Sequence, residues 1–197
     1  MTRRALLALA LIAIAALAVW RGELFTVQKP GARPEPLALL PAPARRAAAF
    51  DATLAAVPVG AERVHPGGGV LLVHYWAPWE RHSGPQARGL DSLRRILPPG
   101  SVRVAVVCFD PYPSVARYVA RLRLRLPVLL DQRRQLAGQL ACPSIPYTYV
   151  LDRGGRIAIE QAGEVDWLAP ATRSSLDSLF EEPEPPAPSP RAPSTAS

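Results

Sequence analysis

Cysteine is scarce in this chain of 197 residues: there are two, Cys108 and Cys142, too far apart to form a Cys-x-x-Cys motif. Lysine is scarcer still, since Lys29 is the only one and arginine carries nearly all of the positive charge. Aromatic residues make up 7% of the sequence, and only one apolar run is long enough to engage a membrane. The formal charge of +7 and the pI near 10.2 raise a nucleic-acid reading, because clustered bases neutralise phosphates. The bases are instead dispersed. Their densest group, Arg117, Arg121, Arg123 and Arg125, has no zinc-finger, RNP or helix-turn-helix pattern beside it. The sequence therefore predicts no nucleic-acid partner and reads these arginines as a solvated face.

What is present fits one domain with tails, because a hydrophobic content of 49% over this length can bury a core. The 23 prolines crowd into Pro30 to Pro43 and Pro183 to Pro193, which read as linker and tail. At the start, Arg3-Arg4 precedes an unbroken apolar run from Ala5 to Trp20, and Trp20-Arg21 suits a membrane interface. This predicts a membrane partner through residues 1–22, as an uncleaved anchor. The alternative is a signal removed at Ala16-Leu17-Ala18 to give a secreted protein. No cysteine follows the run, which excludes a lipoprotein anchor. Charge counting does not orient the span, because Arg21, Lys29 and Arg33 compete with Arg3 and Arg4. The expected layout is anchor or signal 1–22, proline-rich linker 23–46, folded domain 47–181 and disordered tail 182–197.

Within the domain, Ala47 to Val57 is rich in helix formers and predicts a helix ending at Pro58. Val70 to Trp76 is a continuous apolar run of the length of a strand buried on both faces. Ala87, Leu90, Leu93, Ile96 and Leu97 recur at helical spacing until Pro98-Pro99-Gly100 stops the helix. A second buried strand spans Val102 to Phe109, and a helix follows with Val115, Tyr118, Val119 and Leu122 on one face. Pro127 to Asp131 is a short apolar segment, and Arg133 to Leu140 reads as helical. Tyr147 to Leu151 and Arg156 to Gln161 form a hairpin around Asp152-Arg153-Gly154-Gly155. A last amphipathic helix runs from Pro170 to Phe180. The order β-α-β-α-β-β-α predicts an α/β fold.

Three separated segments carry a resemblance. Val73-His74-Tyr75-Trp76-Ala77-Pro78-Trp79 resembles the strand-to-helix signature of thioredoxins, Leu126 to Asp131 resembles an element of TlpA/ResA-type proteins, and Ile145 to Ile157 resembles another. Together they cover the chain from about Val70 to Phe180 in family order. The resemblance implies a thioredoxin-like fold, a central mixed β-sheet flanked by helices, and a domain facing the periplasm or cell exterior. It also implies that Pro146 is a cis-proline beside the active-site loop.

Members of that family continue the signature as Cys-x-x-Cys, whereas this chain has Glu80-Arg81-His82-Ser83. An alignment shifted to Ser83-Gly84-Pro85-Gln86 also lacks both thiols. A carboxylate at position 80 keeps an anion at a helix start but cannot form a disulfide, and Ser83 cannot resolve one. His74 stands where thioredoxins carry a buried Asp, and Arg88 where the family has a proline. The loop offers Glu80 and His82 without a third ligand, so neither a metal nor another cofactor is predicted. Cys108 and Cys142 are left as a structural disulfide, a relocated redox pair or two unpaired thiols. The reading that follows is a non-redox module holding an extended peptide or envelope protein in a groove of Trp76, Trp79, His82, Ile145 and Pro146, with Trp76 in the core and Trp79 exposed. The alternative is a thiol-disulfide oxidoreductase for envelope disulfide reduction or cytochrome c maturation, using Cys108 and Cys142.

Overall fold

The computed structural model describes residues 33–183; the segments 1–32 and 184–197, and the anchor and most of the tail expected there, lie outside the described residues. No helix among the described residues is long and apolar enough to cross a membrane.

The run Val70 to Tyr75, buried along its whole length, becomes the central strand β4 (Val70–Tyr75). Continuous burial requires cover on both faces, and the strand lies inside an eight-stranded sheet. Numbered in chain order, the other strands are β1 (Arg46–Ala47), β2 (Ala52–Val57), β3 (Ala61–Val64), β5 (Val102–Cys108), β6 (Val128–Leu130), β7 (Tyr147–Leu151) and β8 (Arg156–Ala162), in the spatial order β1-β8-β7-β4-β5-β6-β2-β3. The pairs β4/β5 and β5/β6 are parallel and the remainder antiparallel, so the sheet is mixed. Helix α1 (Ser83–Ile96) links β4 to β5, α2 (Tyr112–Leu122) lies between β5 and β6, and α3 (Pro170–Glu181) follows β8.

Strand alternation divides the core in two. Leu72, Val104, Val106 and Cys108 pack with Ala87, Leu90 and Leu93 of α1, Val115 and Val119 of α2, and Leu176 and Leu179 of α3. Leu71, Val73, Tyr75, Ala105 and Val107 belong to the second cluster, with Phe50, Leu136 and Leu140. All three helices thus lie against one face. Both parallel crossovers step the same way along the sheet, and right-handed connections then place both helices on the same side.

Three sequence expectations are corrected here. The segment Ala47 to Val57 is not a helix: Ala52 and Leu54 are buried and Thr53 and Ala55 exposed, the period-two pattern of strand β2, which pairs with β3 and β6. Tertiary pairing overrides the weak helix preference of its alanines. Residues Arg133 to Leu140 form turns. Arg134 has φ 53°, and the Asp131 carboxylate accepts the N–H groups of Gln135, Leu136 and Ala137 at 2.6, 3.1 and 2.8 Å, a side-chain substitute for helical bonding. The proline-rich stretch 33–46 is part of the fold. Leu37 is 2% exposed, its N–H bonds Thr172 Oγ1, and Arg45, buried, pairs with Asp152 and Glu182.

Candidate functional site

Because β4 and β5 run parallel, their C-terminal ends share one edge of the sheet. Register places Tyr75 beside Val107 on β5 and Tyr147 on β7. The chain leaves β4 there as Trp76 to His82, the Ile145–Pro146 peptide enters β7 there, and Gly163 to Val165 leaves β8 next to it. The topology thus brings the predicted loop residues and Pro146 to one edge.

Trp76 is buried, donates from Nε1 to the Ser83 carbonyl at 3.0 Å and meets Tyr118 edge-on at 5.1 Å. Trp79 is 68% exposed. Glu80 folds back on the start of α1: its Oε2 accepts the His82 backbone N–H at 2.8 Å and lies 3.5 Å from the Ser83 hydroxyl oxygen. The carboxylate therefore accepts the N–H of His82, the residue that precedes the first turn of α1, where the helix dipole favours an anion. Ser83 is buried, with its hydroxyl donated to the Ala77 carbonyl. Arg81 is exposed and has no ion pair among the described residues. His82 Nδ1 lies 2.5 Å from Glu164 Oε1 and 3.8 Å from Glu80 Oε1, so the imidazole bridges two carboxylates. Glu164 had no signal in the sequence, since only the neighbouring of β8, β7 and β4 brings it to position 82. Among the described residues, no group of three or more His, Cys, Asp or Glu is arranged to hold a metal.

The Ile145–Pro146 bond is cis. The Pro146 carbonyl accepts the Gly163 N–H at 2.9 Å, while the backbone N–H and C=O of Ile145 have no partner among the described residues. Unpaired backbone groups at a surface can add a strand from another chain.

Beneath the loop, His74 is fully buried. Its Nδ1 contacts Thr148 Oγ1 at 3.0 Å, its ring stands edge-on to Trp167 at 5.1 Å, and its Nε2 has no partner. Burial pushes its pKa down to about 3, so at neutral pH it is uncharged. Gln86 completes this layer: its amide oxygen accepts the Val165 N–H and the Trp167 indole N–H, and its nitrogen donates to the Val165 carbonyl.

The cysteines do not meet. Cys108 lies in the cluster under the helices, Cys142 packs against the cluster on the opposite face, and both are free. The Cys108 thiol contacts Asp110 and that of Cys142 the Ser144 carbonyl. Burial pushes both thiols up to about 12, which leaves only about one part in 10⁵ as thiolate at pH 7. Neither the structural disulfide nor the relocated redox pair has the geometry it requires. Alkylation of the unreduced protein with a maleimide under denaturing conditions is expected to label both thiols; labelling that requires prior reductant would contradict this arrangement.

No protein-family model and no curated protein matches the sequence. The architecture is thioredoxin-like, and solved structures define that class. A protein assigned as the thiol:disulfide interchange protein DsbE of Chlorobium tepidum superposes with TM-score 0.62 at 16% identity, covering 69% of this chain and 97% of its own. A DsbF homologue from Corynebacterium diphtheriae gives TM-score 0.60 at 18% identity, with 78% and 98% covered. The exposed lipoprotein thioredoxin Etrx1 of Streptococcus pneumoniae gives 0.57 at 18%, with 65% and 98% covered. The chain has the thioredoxin-like fold, with a loop lacking Cys-x-x-Cys.

Proposed function

We propose that this protein is a non-redox binding module, extracytoplasmic and tethered through residues 1–22, that holds an extended polypeptide at the edge formed by Trp79, His82, Ile145 and Pro146. The observation that carries the reading is the pair of unpartnered Ile145 backbone groups beside cis-Pro146, on the same sheet edge as an indole 68% exposed, next to a loop that carries no cysteine. Main-chain hydrogen bonds would hold the guest and the indole would supply apolar contact. The extracytoplasmic placement is supported by the apolar run at residues 5–20 and by the likeness to an exposed lipoprotein thioredoxin.

The test uses extended peptides displayed as a library against the full-length chain. Trp79→Ala is expected to weaken selected binders about tenfold, roughly 1.4 kcal/mol, while leaving the melting temperature unchanged because the side chain is exposed. Insulin reduction by the unaltered protein, lost on Cys108→Ser or Cys142→Ser, would instead establish the oxidoreductase reading and reject this one.

A further inference from the structure

Next to the loop, a groove of about 520 Å³ opens between Trp79 and helix α2. Pro78 and Trp79 form one wall; Ser114, Arg117, Tyr118 and Arg121 form the other. Arg117 and Arg121 are four residues apart on α2 and so project from one face. The Arg121 guanidinium lies 4.5 Å from the centre of the Tyr118 ring, which holds it over an aromatic surface, and Tyr118 rests on Trp76. Arg117 Nε donates to the Pro113 carbonyl of its own helix at 3.2 Å. Among the described residues neither arginine has a carboxylate within ion-pair distance, a state they share with most of the other arginines. Asp110, the acidic residue next to α2 in sequence, is turned to Cys108.

A concave wall with two uncompensated guanidinium groups facing an exposed indole is complementary in charge to carboxylates and in surface to an apolar side chain. We propose that this groove binds the acidic stretch of an extended polypeptide, with carboxylates on Arg117 and Arg121 and a neighbouring apolar side chain on Trp79. The inference rests on the binding-module reading and names the partner that the module selects. Forked donors suit carboxylates in two-point contact, and the Tyr118 ring fixes one fork before the ligand arrives. Single-stranded nucleic acid would stack successive bases on several aromatic faces, whereas this groove exposes one large indole. An anionic lipid surface would meet the bases on a flat or convex patch, and here Trp79 stands across from them.

Fluorescence anisotropy on the full-length chain in detergent tests the proposal with three labelled peptides, alternating Glu/Phe, Ser/Phe and Lys/Phe. The Glu/Phe peptide is expected to bind at least about tenfold more tightly than Lys/Phe, with a preference that shrinks as salt rises. Arg117→Glu combined with Arg121→Glu should reverse the order, and Arg117→Lys with Arg121→Lys should retain part of it. Equal binding of the three peptides, all weakened by Trp79→Ala, overturns the acidic selection while leaving the module standing. Failure of all three peptides overturns both. Phosphatidylglycerol vesicles or oligothymidylate binding more tightly than Glu/Phe, with the same arginine dependence, also overturns the proposal.

Discussion

Replacing Glu80 and Ser83 together by cysteine is expected to give a protein that reduces insulin faster than the unaltered chain. Position 80 already holds a carboxylate just ahead of α1, with the His82 N–H donating to it at 2.8 Å. Thiolates are favoured at such places, and a pKa near 7 there would raise the thiolate fraction at pH 7 from about 3% for an ordinary thiol to about half. Position 83 lies one turn further on and is buried, with its hydroxyl already 3.5 Å from the side chain at 80. It is placed to resolve a mixed disulfide formed at 80. A rate at least about tenfold above the unaltered protein should follow from the thiolate gain alone. Single replacement of Glu80 should give a reactive thiol without turnover. A double variant as inert as the parent would mean that the loop no longer has the geometry this chemistry needs.

Acid should destabilise the protein through His74, and His74→Leu should remove that sensitivity. With its pKa pushed down to about 3 by burial, His74 is neutral in the folded chain, while in the unfolded chain it takes up a proton near its ordinary value of 6.5. Its folded-state pKa is depressed, so the unfolded state binds more protons across this window. Stability is fully present above about pH 6.5 and falls as the pH drops towards 3, by about 1.4 kcal/mol per unit. At pH 4.5 the deficit is about 2 to 3 kcal/mol. Leucine fills a similar volume, does not titrate and removes the unpartnered Nε2. Urea midpoints at pH 7 and 4.5 would show the difference between the two proteins; parallel decline in both would assign the acid loss to other groups.

Strand β4 and the helix after it were legible because a fully apolar run and a 3.6-residue period have few alternatives. Strand β2 was not, because alanine-rich Ala52–Val57 carries little pattern of its own and is decided by β3 and β6 on either side. The turn at 131–140 failed for a different reason. Its residues have ordinary helical preference, and the deciding groups are one aspartate side chain and one left-handed arginine. At the candidate site, Trp79, Glu80, His82 and Pro146 could be placed through the resemblance. Glu164 and Trp167 could not, since they belong to the β8–α3 turn and reach the loop only through sheet order, and the role of Gln86 on α1 is set by its bond to Trp167. Reading Arg117 and Arg121 as a solvated face captured their exposure but missed the indole standing opposite them.

The β8–α3 turn ties four segments together. Gly163 holds the Pro146 carbonyl, Glu164 holds His82, the Val165 backbone holds Gln86 of α1, and the backbone around Glu164 and Asp166 bonds Glu35. The edge where a guest would sit is thus cross-linked to the core and to the amino-terminal strap, and it should open with the domain as a whole. A ligand captured there would protect the entire fold, adding about 2.7 kcal/mol at a hundred times its dissociation constant. A thermal-shift screen of candidate peptides, which needs no assay of activity, would therefore detect a genuine partner as a rise in the single global melting transition.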